Sequence, residues 1–287
     1  MYLDLPIIDD IRKIPINFNS AFLIKKGCQN MNAVNTWNID YLIKNFKNCS
    51  FPVEKYKNYN DFSKTNVIKK VNVPFNKIVD KIKGTNPYYY LAEQNLLDYK
   101  DKINKKLITD VVHYHDSQRK YEQCLIFFGY NSRSGCHIHG SEDYILNQIF
   151  GKKIVYLFDY DDNPSLKFGK NGSNFIDKNF YDLDHSKYKI YKVELEPGDS
   201  LLIPPWYFHA VQGIGYSCSI TKTYQRTDRN YLYQNKYKIL KNILKLGYYN
   251  QVQSEQIKFF KYYFFVLILS MICIVMVIKI IQSIALS

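Results

Sequence analysis

The sequence predicts a mainly β protein, a sandwich or barrel with helical segments on either side of it. Short apolar runs of strand length follow one another from about Tyr121, and clusters of turn-forming residues separate them. Several short strands at such spacing are typical of antiparallel sandwiches and barrels. A hydrophobic fraction of 46% over 287 residues is enough for one well-filled domain and excludes a mainly disordered chain.

Residues 1–115 are predicted to form an N-terminal α+β part of this domain, because strand-like and helical segments are mixed there. Residues 21–24 are apolar and of strand length. Residues 38–46 carry apolar side chains at helical spacing, and Asn38 suits the N-cap because its side chain can accept a hydrogen bond from a free backbone N–H. Residues 75–82 have the same helical pattern.

The β-barrel core is predicted over residues 116–228, where the pattern changes to short strands. Turn-forming residues at 159–165 and 169–173 interrupt it. Gly129 ends the first apolar run, and Gly151 precedes the second. The strand predictions are 124–128, 154–158, 188–193 and 200–203.

Two further segments are predicted after the barrel. Residues 229–261 form a helical basic linker with an apolar stripe, which is a packing surface and could pair two copies into a homodimer. Residues 262–284 form one transmembrane helix, because 262–278 contain no charged side chain and approach the ~20 residues that cross a bilayer. Lys279 would reach the interface through its long side chain.

This helix predicts a single-pass tail anchor, since it lies at the C-terminal end of the chain. The lysines that precede it, Lys258 and Lys261 among them, favour a cytosolic location for the N-terminal domain. The alternative is a buried C-terminal helix, but the segment has no polar face to present to water.

Charge and cysteine content bear on the partners and the compartment. The 39 basic and 26 acidic residues give a net charge of +13, which is typical of a protein that meets nucleic acid or phospholipid headgroups, or of a generally lysine-rich solvated surface. No motif of arginines and aromatic residues supports nucleic acid specifically. None of the six cysteines forms a CxxC pair, so we expect a reducing compartment rather than a disulfide framework.

Three histidines are the strongest functional signal. His137 and His139 are two residues apart, so on an extended segment both imidazoles point to one side. His209 lies at the far end of another predicted strand. Three imidazoles are suitable ligands for a first-row transition metal. Two imidazoles together with the carboxylate of Glu142 or Asp143 would also be suitable. In the second case His139 would be an outer partner of the ligands.

Three sequence motifs and their order along the chain resemble those of a known protein family. The segments 137–139 (HIH), 148–158 (QIFGKKIVYLF) and 198–209 (GDSLLIPPWYFH) follow one another along the chain. They resemble the HxD, QxxGxK and GDxxxIPxxxxH motifs of the JmjC or cupin-8 group of the cupin superfamily. Residues 86–96 and 5–27 resemble upstream regions of the same group, so the likeness covers roughly residues 1–225. It implies a double-stranded β-helix, the cupin jelly roll.

The resemblance also implies roles for single residues, since the group consists of oxygenases that depend on iron(II) and 2-oxoglutarate. His137 and His209 match its iron-binding histidines. Lys153 matches the lysine that binds the distal carboxylate of 2-oxoglutarate, a suitable partner for a cation on an apolar strand. Thr223 matches a polar position near that cosubstrate. His139 departs from the pattern, because the family has a carboxylate at this place.

Two functions are predicted. The first is an oxygenase that hydroxylates or demethylates a substrate, with a protein as the expected substrate class, at a membrane surface. The second is a catalytically inactive cupin that binds or scaffolds partners there, because a neutral ligand at position 139 raises the net charge of the site, and metal binding could persist without turnover. A third and weaker hypothesis uses the basic surface to bring an RNA substrate to an oxygenase site.

Overall fold

The computed structural model describes residues 2–14, 18–56, 67–84, 88–117, 121–139, 142–159, 162–163, 165–166 and 175–225. These residues belong to one compact unit, residues 1–226. The predicted helical linker 229–261 and the predicted transmembrane helix 262–284 lie outside the described residues. Within the described part of the chain, no helix is both long enough and apolar enough to cross a membrane.

The described residues form ten strands and four short α-helices, with 3-10 turns between some of them. In chain order the elements are β1 (Ile7–Ile8), β2 (Phe22–Ile24), α1 (Asn32–Thr36), α2 (Ile39–Asn45), β3 (Ser50–Tyr56), β4 (Val67–Pro74), α3 (Phe75–Lys81), β5 (Tyr88–Asn95), α4 (Lys105–Thr109), β6 (Gln123–Tyr130), β7 (Glu142–Asp159), β8 (Tyr191–Leu195), β9 (Ser200–Ile203) and β10 (Tyr207–Gln225). The prediction of a mainly β protein with helical additions in its N-terminal part is confirmed.

One continuous sheet contains all ten strands. The order is β1-β2-β9-β7-β10-β6-β5-β3-β4, and β8 also pairs with β7. Every pairing is antiparallel except that of β1 with β2. The first half of β7 pairs with β9 and its second half with β8, while β10 lies along both halves. This mainly antiparallel arrangement is consistent with a jelly roll.

The strand predicted over 154–158 belongs to a longer strand, because β7 continues through Gly151 without a break. Gly151 has a φ of +68°, and a Cβ atom there would lie 2.0 Å from the carbonyl oxygen of Tyr216. Only glycine fits this position, so it allows a local bend inside the strand rather than ending it. β10 has an irregular register with β7 at the same level, between Ile214 and Cys218.

Two of the four described helices, α2 and α3, were predicted from the sequence, and both form where it places them. α2 begins directly after Asn38, whose side chain accepts a hydrogen bond of 2.8 Å from the backbone N–H of Tyr41. α3 starts at Phe75, the first residue of the predicted segment. These helices pack against the sheet through an aromatic core in which Phe46 lies 5.3 Å from Phe51 and 5.0 Å from Phe75, between ring centroids.

The turn that leads into β9 is held by the carboxylate of Asp199. This buried group accepts hydrogen bonds from the backbone N–H of Lys26 and of Glu196, at 3.1 and 3.0 Å, and pairs with Lys25 Nζ at 2.8 Å. Gly198 beside it has a φ of +92°, and a Cβ atom there would lie 2.3 Å from Gln29 Oε1. The Gly-Asp pair of the motif therefore fixes the turn and the N-terminal strand beside it.

Candidate metal centre

Backbone pairing brings the three predicted histidines together. His137 and His209 exchange two backbone hydrogen bonds, of 3.1 and 2.9 Å, so the HxH segment lies beside the start of β10. The carbonyl oxygen of His139 accepts a further bond of 2.8 Å from the N–H of Trp206. Trp206 has a φ of +68°, a left-handed conformation that is uncommon away from glycine. The Pro-Pro-Trp turn thus holds both segments at one place.

The three imidazoles form a compact group. One ligating nitrogen of each of His137, His139 and His209 can be chosen so that all lie within 4.8 Å of one another. The ring centroids are 4.2 to 5.2 Å apart. His137 and His209 are buried, and His139 is half-buried. Such a set of nitrogen donors fits a first-row transition metal.

Outer hydrogen bonds orient two of the rings. His137 Nδ1 lies 2.9 Å from the carbonyl oxygen of Gly135, and His209 Nδ1 lies 3.2 Å from that of Tyr207. A carbonyl oxygen can only accept, so each Nδ1 carries the proton and each Nε2 keeps its lone pair for a metal. Burial, and then the nearby His137, lower the pKa of His209 from 6.5 to about 3. The ring is therefore neutral at physiological pH, as a ligand must be.

The two alternative carboxylates are outside this group. Among the described residues, the potential ligands that come together here are the three histidines alone. Glu142 begins β7 and accepts a hydrogen bond of 2.7 Å from the hydroxyl of Tyr144. Asp143 is fully buried opposite Tyr224, and as the next residue of the strand it points to the other face of the sheet.

Lys153 lies on the same face of β7 as Leu157, the residue that pairs with His209. In the β7–β10 register His209 is opposite Leu157, and Gly213 is opposite Lys153. Residues 153 and 157 are four apart, an even number, so their side chains share a face. The Lys153 side chain is 1% exposed, and its Nζ contacts Ser219 Oγ at 2.5 Å and lies 5.4 Å from the ring centroid of Phe127.

No described carboxylate pairs with this ammonium group. The ion pairs of the described residues include the neighbouring Lys152, with Glu196 at 2.5 Å, but not Lys153. One hydrogen bond leaves two of its three N–H donors open. Burial lowers the pKa of Lys153 from 10.5 to about 8. A carboxylate ligand at this place would remove the unfavourable charge and complete the hydrogen bonding.

A row of hydroxyls on β10 completes the interior of the site. Thr223 is fully buried, and its Oγ1 makes no hydrogen bond with any described residue. Only Thr223 of this row was predicted from the sequence, although polar residues alternate with mostly apolar ones through this segment. The buried members of the row are Ser217, Ser219, Thr221 and Thr223.

Two aromatic side chains beside the histidines were not predicted from the sequence either. Phe175 stacks on His137 with ring centroids 4.9 Å apart, and Tyr144 stacks on His139 at 4.2 Å. Phe175 is separated from the HxH segment by more than thirty positions and is connected to it by a bridge to His137. No local pattern in the sequence predicts such a contact.

The chain is similar to known proteins. The sequence profile of a family described as "Cupin-like domain" matches residues 16–238. The JmjC domain-containing protein F of Dictyostelium discoideum is 34% identical over 107 residues, a match that covers 28% of this chain and 22% of that protein. The chain thus spans about a fifth of the length of this curated relative. Both similarities agree with the family that the order of motifs predicts.

Removing one central histidine should abolish tight metal binding. We expect His137→Ala and His209→Ala each to raise the Kd for Co²⁺ by more than ~100-fold, beyond the 10- to 100-fold typical of outer partners. Titration of the purified full-length chain, followed by visible absorption, measures it. His185→Ala is the control, because His185 is bonded to Tyr2 and to the carbonyl of Phe180 rather than to this group. Unchanged Co²⁺ binding by His137→Ala would exclude the site.

The buried ammonium predicts a pH-dependent stability. Between pH 8 and 10.5 the folded chain binds fewer protons at Lys153 than the unfolded chain does, so the free energy of unfolding rises with pH. The cost of the charged group is then about 3 kcal/mol at pH 7 and about 1 kcal/mol at pH 10. We expect the stability gain of Lys153→Met over the native chain to shrink by about 2 kcal/mol across this range, measured by urea unfolding.

Lys152→Met is the matched control, since Lys152 is exposed and its ion pairs raise its pKa. A group whose pKa is raised in the folded state stabilises the fold at a pH below that pKa. Its contribution to the free energy of unfolding therefore falls as the pH rises, opposite to that of Lys153. A gain from Lys153→Met that is the same at pH 7 and pH 10 would contradict a lowered pKa for Lys153.

Proposed function

The chain belongs to the cupin-like domain family, and on this basis we propose that it is a JmjC-like oxygenase dependent on iron(II) and 2-oxoglutarate. The observation that carries the proposal is Lys153: a buried ammonium without a described acidic partner, on the sheet face that leads to His209. Residues 153 and 157 are about 13 Å apart along a strand. This spacing is compatible with a five-carbon dicarboxylate that would bridge the ammonium and a metal on the imidazoles.

Each of the site's side chains would have a separate role in this function. His137, His139 and His209 would hold the metal on one side and leave other positions open, and Lys153 would bind the distal carboxylate of the cosubstrate. Thr223 would contribute its unused hydroxyl to the same pocket. When bound, iron(II) and 2-oxoglutarate supply the oxidising chemistry, in which O2 and 2-oxoglutarate yield succinate and CO2 while a C–H bond of the substrate becomes C–OH.

The surrounding barrel supports this chemistry by keeping water out. The interior next to the site is built from buried aliphatic side chains of three strands, β7, β8 and β9. In such surroundings the charge interaction between Lys153 and a carboxylate is stronger than it would be in water. These aliphatic side chains are Leu146, Val155, Leu157, Val193, Leu195, Leu201 and Ile203.

We propose a protein as the substrate, either hydroxylated or demethylated. A JmjC domain also occurs in the name of the Dictyostelium relative, but this chain spans about a fifth of that protein. The support is therefore the resemblance of the domain and not the activity of a whole relative.

A second candidate is a catalytically inactive cupin that uses the same fold for binding. The observation that favours it is the donor set, since three imidazoles bring no negative charge to the metal. In this case the histidines would hold a metal such as zinc, and their replacement would leave the biological role intact.

We also propose that residues 262–284 anchor the chain in a membrane, with the N-terminal domain in the cytosol. The support is the uncharged run from 262 to 278 and the lysines that precede it. The excess of basic residues would then face an anionic membrane surface.

Succinate formation tests the oxygenase. With Fe²⁺, ascorbate, 2-oxoglutarate and O2, the purified full-length chain should form succinate even without a substrate, and Lys153→Met should lose most of this turnover. Lys152→Met should retain it, because the Lys152 side chain is exposed and, as the neighbour of Lys153 on the strand, points to the opposite face of the sheet. If the native chain neither forms succinate nor binds 2-oxoglutarate by calorimetry, the inactive cupin becomes the better description.

Membrane attachment is tested by fractionation of cells that produce the chain. Full-length protein should stay in the membrane pellet after alkaline carbonate washing, and deletion of 262–284 should move it to the supernatant. The control variant replaces the linker lysines, which are the groups that would attach the chain to the membrane by charge alone. Attachment of that kind is lost in high salt. Release of the intact chain by salt would contradict an inserted helix. These lysines are Lys236, Lys238, Lys241 and Lys245.

A further inference from the structure

A side-chain hydroxyl lies at hydrogen-bonding distance from His139 Nδ1, whereas backbone carbonyl oxygens lie at this distance from Nδ1 of the other two histidines. The hydroxyl of Tyr144 lies 3.0 Å from His139 Nδ1 and 2.7 Å from Glu142 Oε2. The tyrosine ring is also stacked on the imidazole, with an interplanar angle of 24°. His137 and His209 are held at Nδ1 by backbone carbonyls instead. The orientation of the third imidazole therefore depends on two replaceable side chains.

The hydrogen bonds have one consistent direction. An ionised carboxylate can only accept, so the single hydroxyl proton of Tyr144 goes to Glu142. The phenol oxygen then accepts the proton of His139 Nδ1, which leaves the lone pair on Nε2. This is the same tautomer that the carbonyl partners impose on His137 and His209.

We propose that Glu142 and Tyr144 are positioning residues for the metal ligand His139. They hold its ring in the ligating tautomer, and they bring one negative charge to within two hydrogen bonds of a site whose donors are neutral. An anionic group behind an imidazole makes it a stronger electron donor. The role rests on the metal binding proposed above, but not on 2-oxoglutarate or turnover.

The geometry follows from the strand. Glu142 and Tyr144 are two apart on β7 and so share a face. Tyr144 is fixed between two strands, opposite Ile203 of β9 and Thr223 of β10. Both neighbours limit its movement, so its hydroxyl is held in place beside His139.

The chain contains a matched control pair. Tyr56 donates a hydrogen bond of 2.6 Å to Glu54, also two residues apart on a strand, β3. Both members are buried, and neither belongs to the histidine group. Tyr56→Phe therefore removes the same kind of hydrogen bond without touching His139.

The test is the affinity of the full-length chain for Co²⁺, which needs no turnover. We expect Tyr144→Phe and Glu142→Gln each to raise the Kd about tenfold, and to shift the visible d–d bands of bound Co²⁺, because outer partners typically contribute 10- to 100-fold. Tyr56→Phe should change neither. Circular dichroism confirms that each variant is folded, and Glu142→Gln gives a second variant if Tyr144→Phe is not.

A double-mutant cycle separates positioning from general stability. In a His139→Ala background, Tyr144→Phe should no longer affect the Kd, because the group that it positions is absent. An equal effect with and without His139 would overturn the proposal, and so would native affinity and spectrum in both single variants. These outcomes leave the metal site itself intact, whereas a native chain that binds no Co²⁺ would refute the metal site proposed above and this role with it.

Discussion

The antiparallel pairing of β7 with β10 determines where His209 and Lys153 lie, and the HxH segment joins the site through its backbone pairing with His209. The register puts His209 opposite Leu157 and Lys153 opposite Gly213, so the histidine end and the cationic end share one face of the sheet. A shift by one residue would turn either end to the opposite face. The same two strands also carry Tyr144 and the hydroxyl row of β10, which explains why residues from distant parts of the chain meet here.

The pairing holds groups that a fold built for stability alone would avoid. A buried ammonium without an anionic partner costs free energy, and so does a buried hydroxyl without a hydrogen bond. Lys153 is in the first state, and Ser217 and Thr223 are in the second with respect to the described residues. Violations of this kind are concentrated at functional sites, where a ligand supplies the missing partner. Asp199 is the contrast, because its buried carboxylate is fully engaged in holding a turn.

Local patterns in the sequence predicted those parts of the structure that local forces determine. Asn38 caps its helix by accepting a hydrogen bond from the backbone N–H of Tyr41, and the strand predicted over 200–203 forms β9. The HxH spacing predicted two imidazoles on one side, and order along the chain added His209. The length of β7 was not predictable, because a glycine inside an apolar pattern commonly marks the end of a strand. Here the strand continues through Gly151, which lies close to the backbone of Tyr216. Phe175 at His137 is likewise a contact made by tertiary structure alone.

The charge of the metal centre decides what its three imidazoles can support. A divalent ion among neutral donors keeps its full charge, which favours binding of an anionic cosubstrate but gives the metal less electron density than a carboxylate ligand would. Lys153 adds a further positive charge on the same face, so a dianion would be attracted to this face. Glu142 would act in the opposite direction, since two hydrogen bonds through Tyr144 connect its carboxylate to His139. His139 would then take the position that the family gives to a carboxylate, and part of the electron density that a carboxylate would have supplied would come from behind the imidazole.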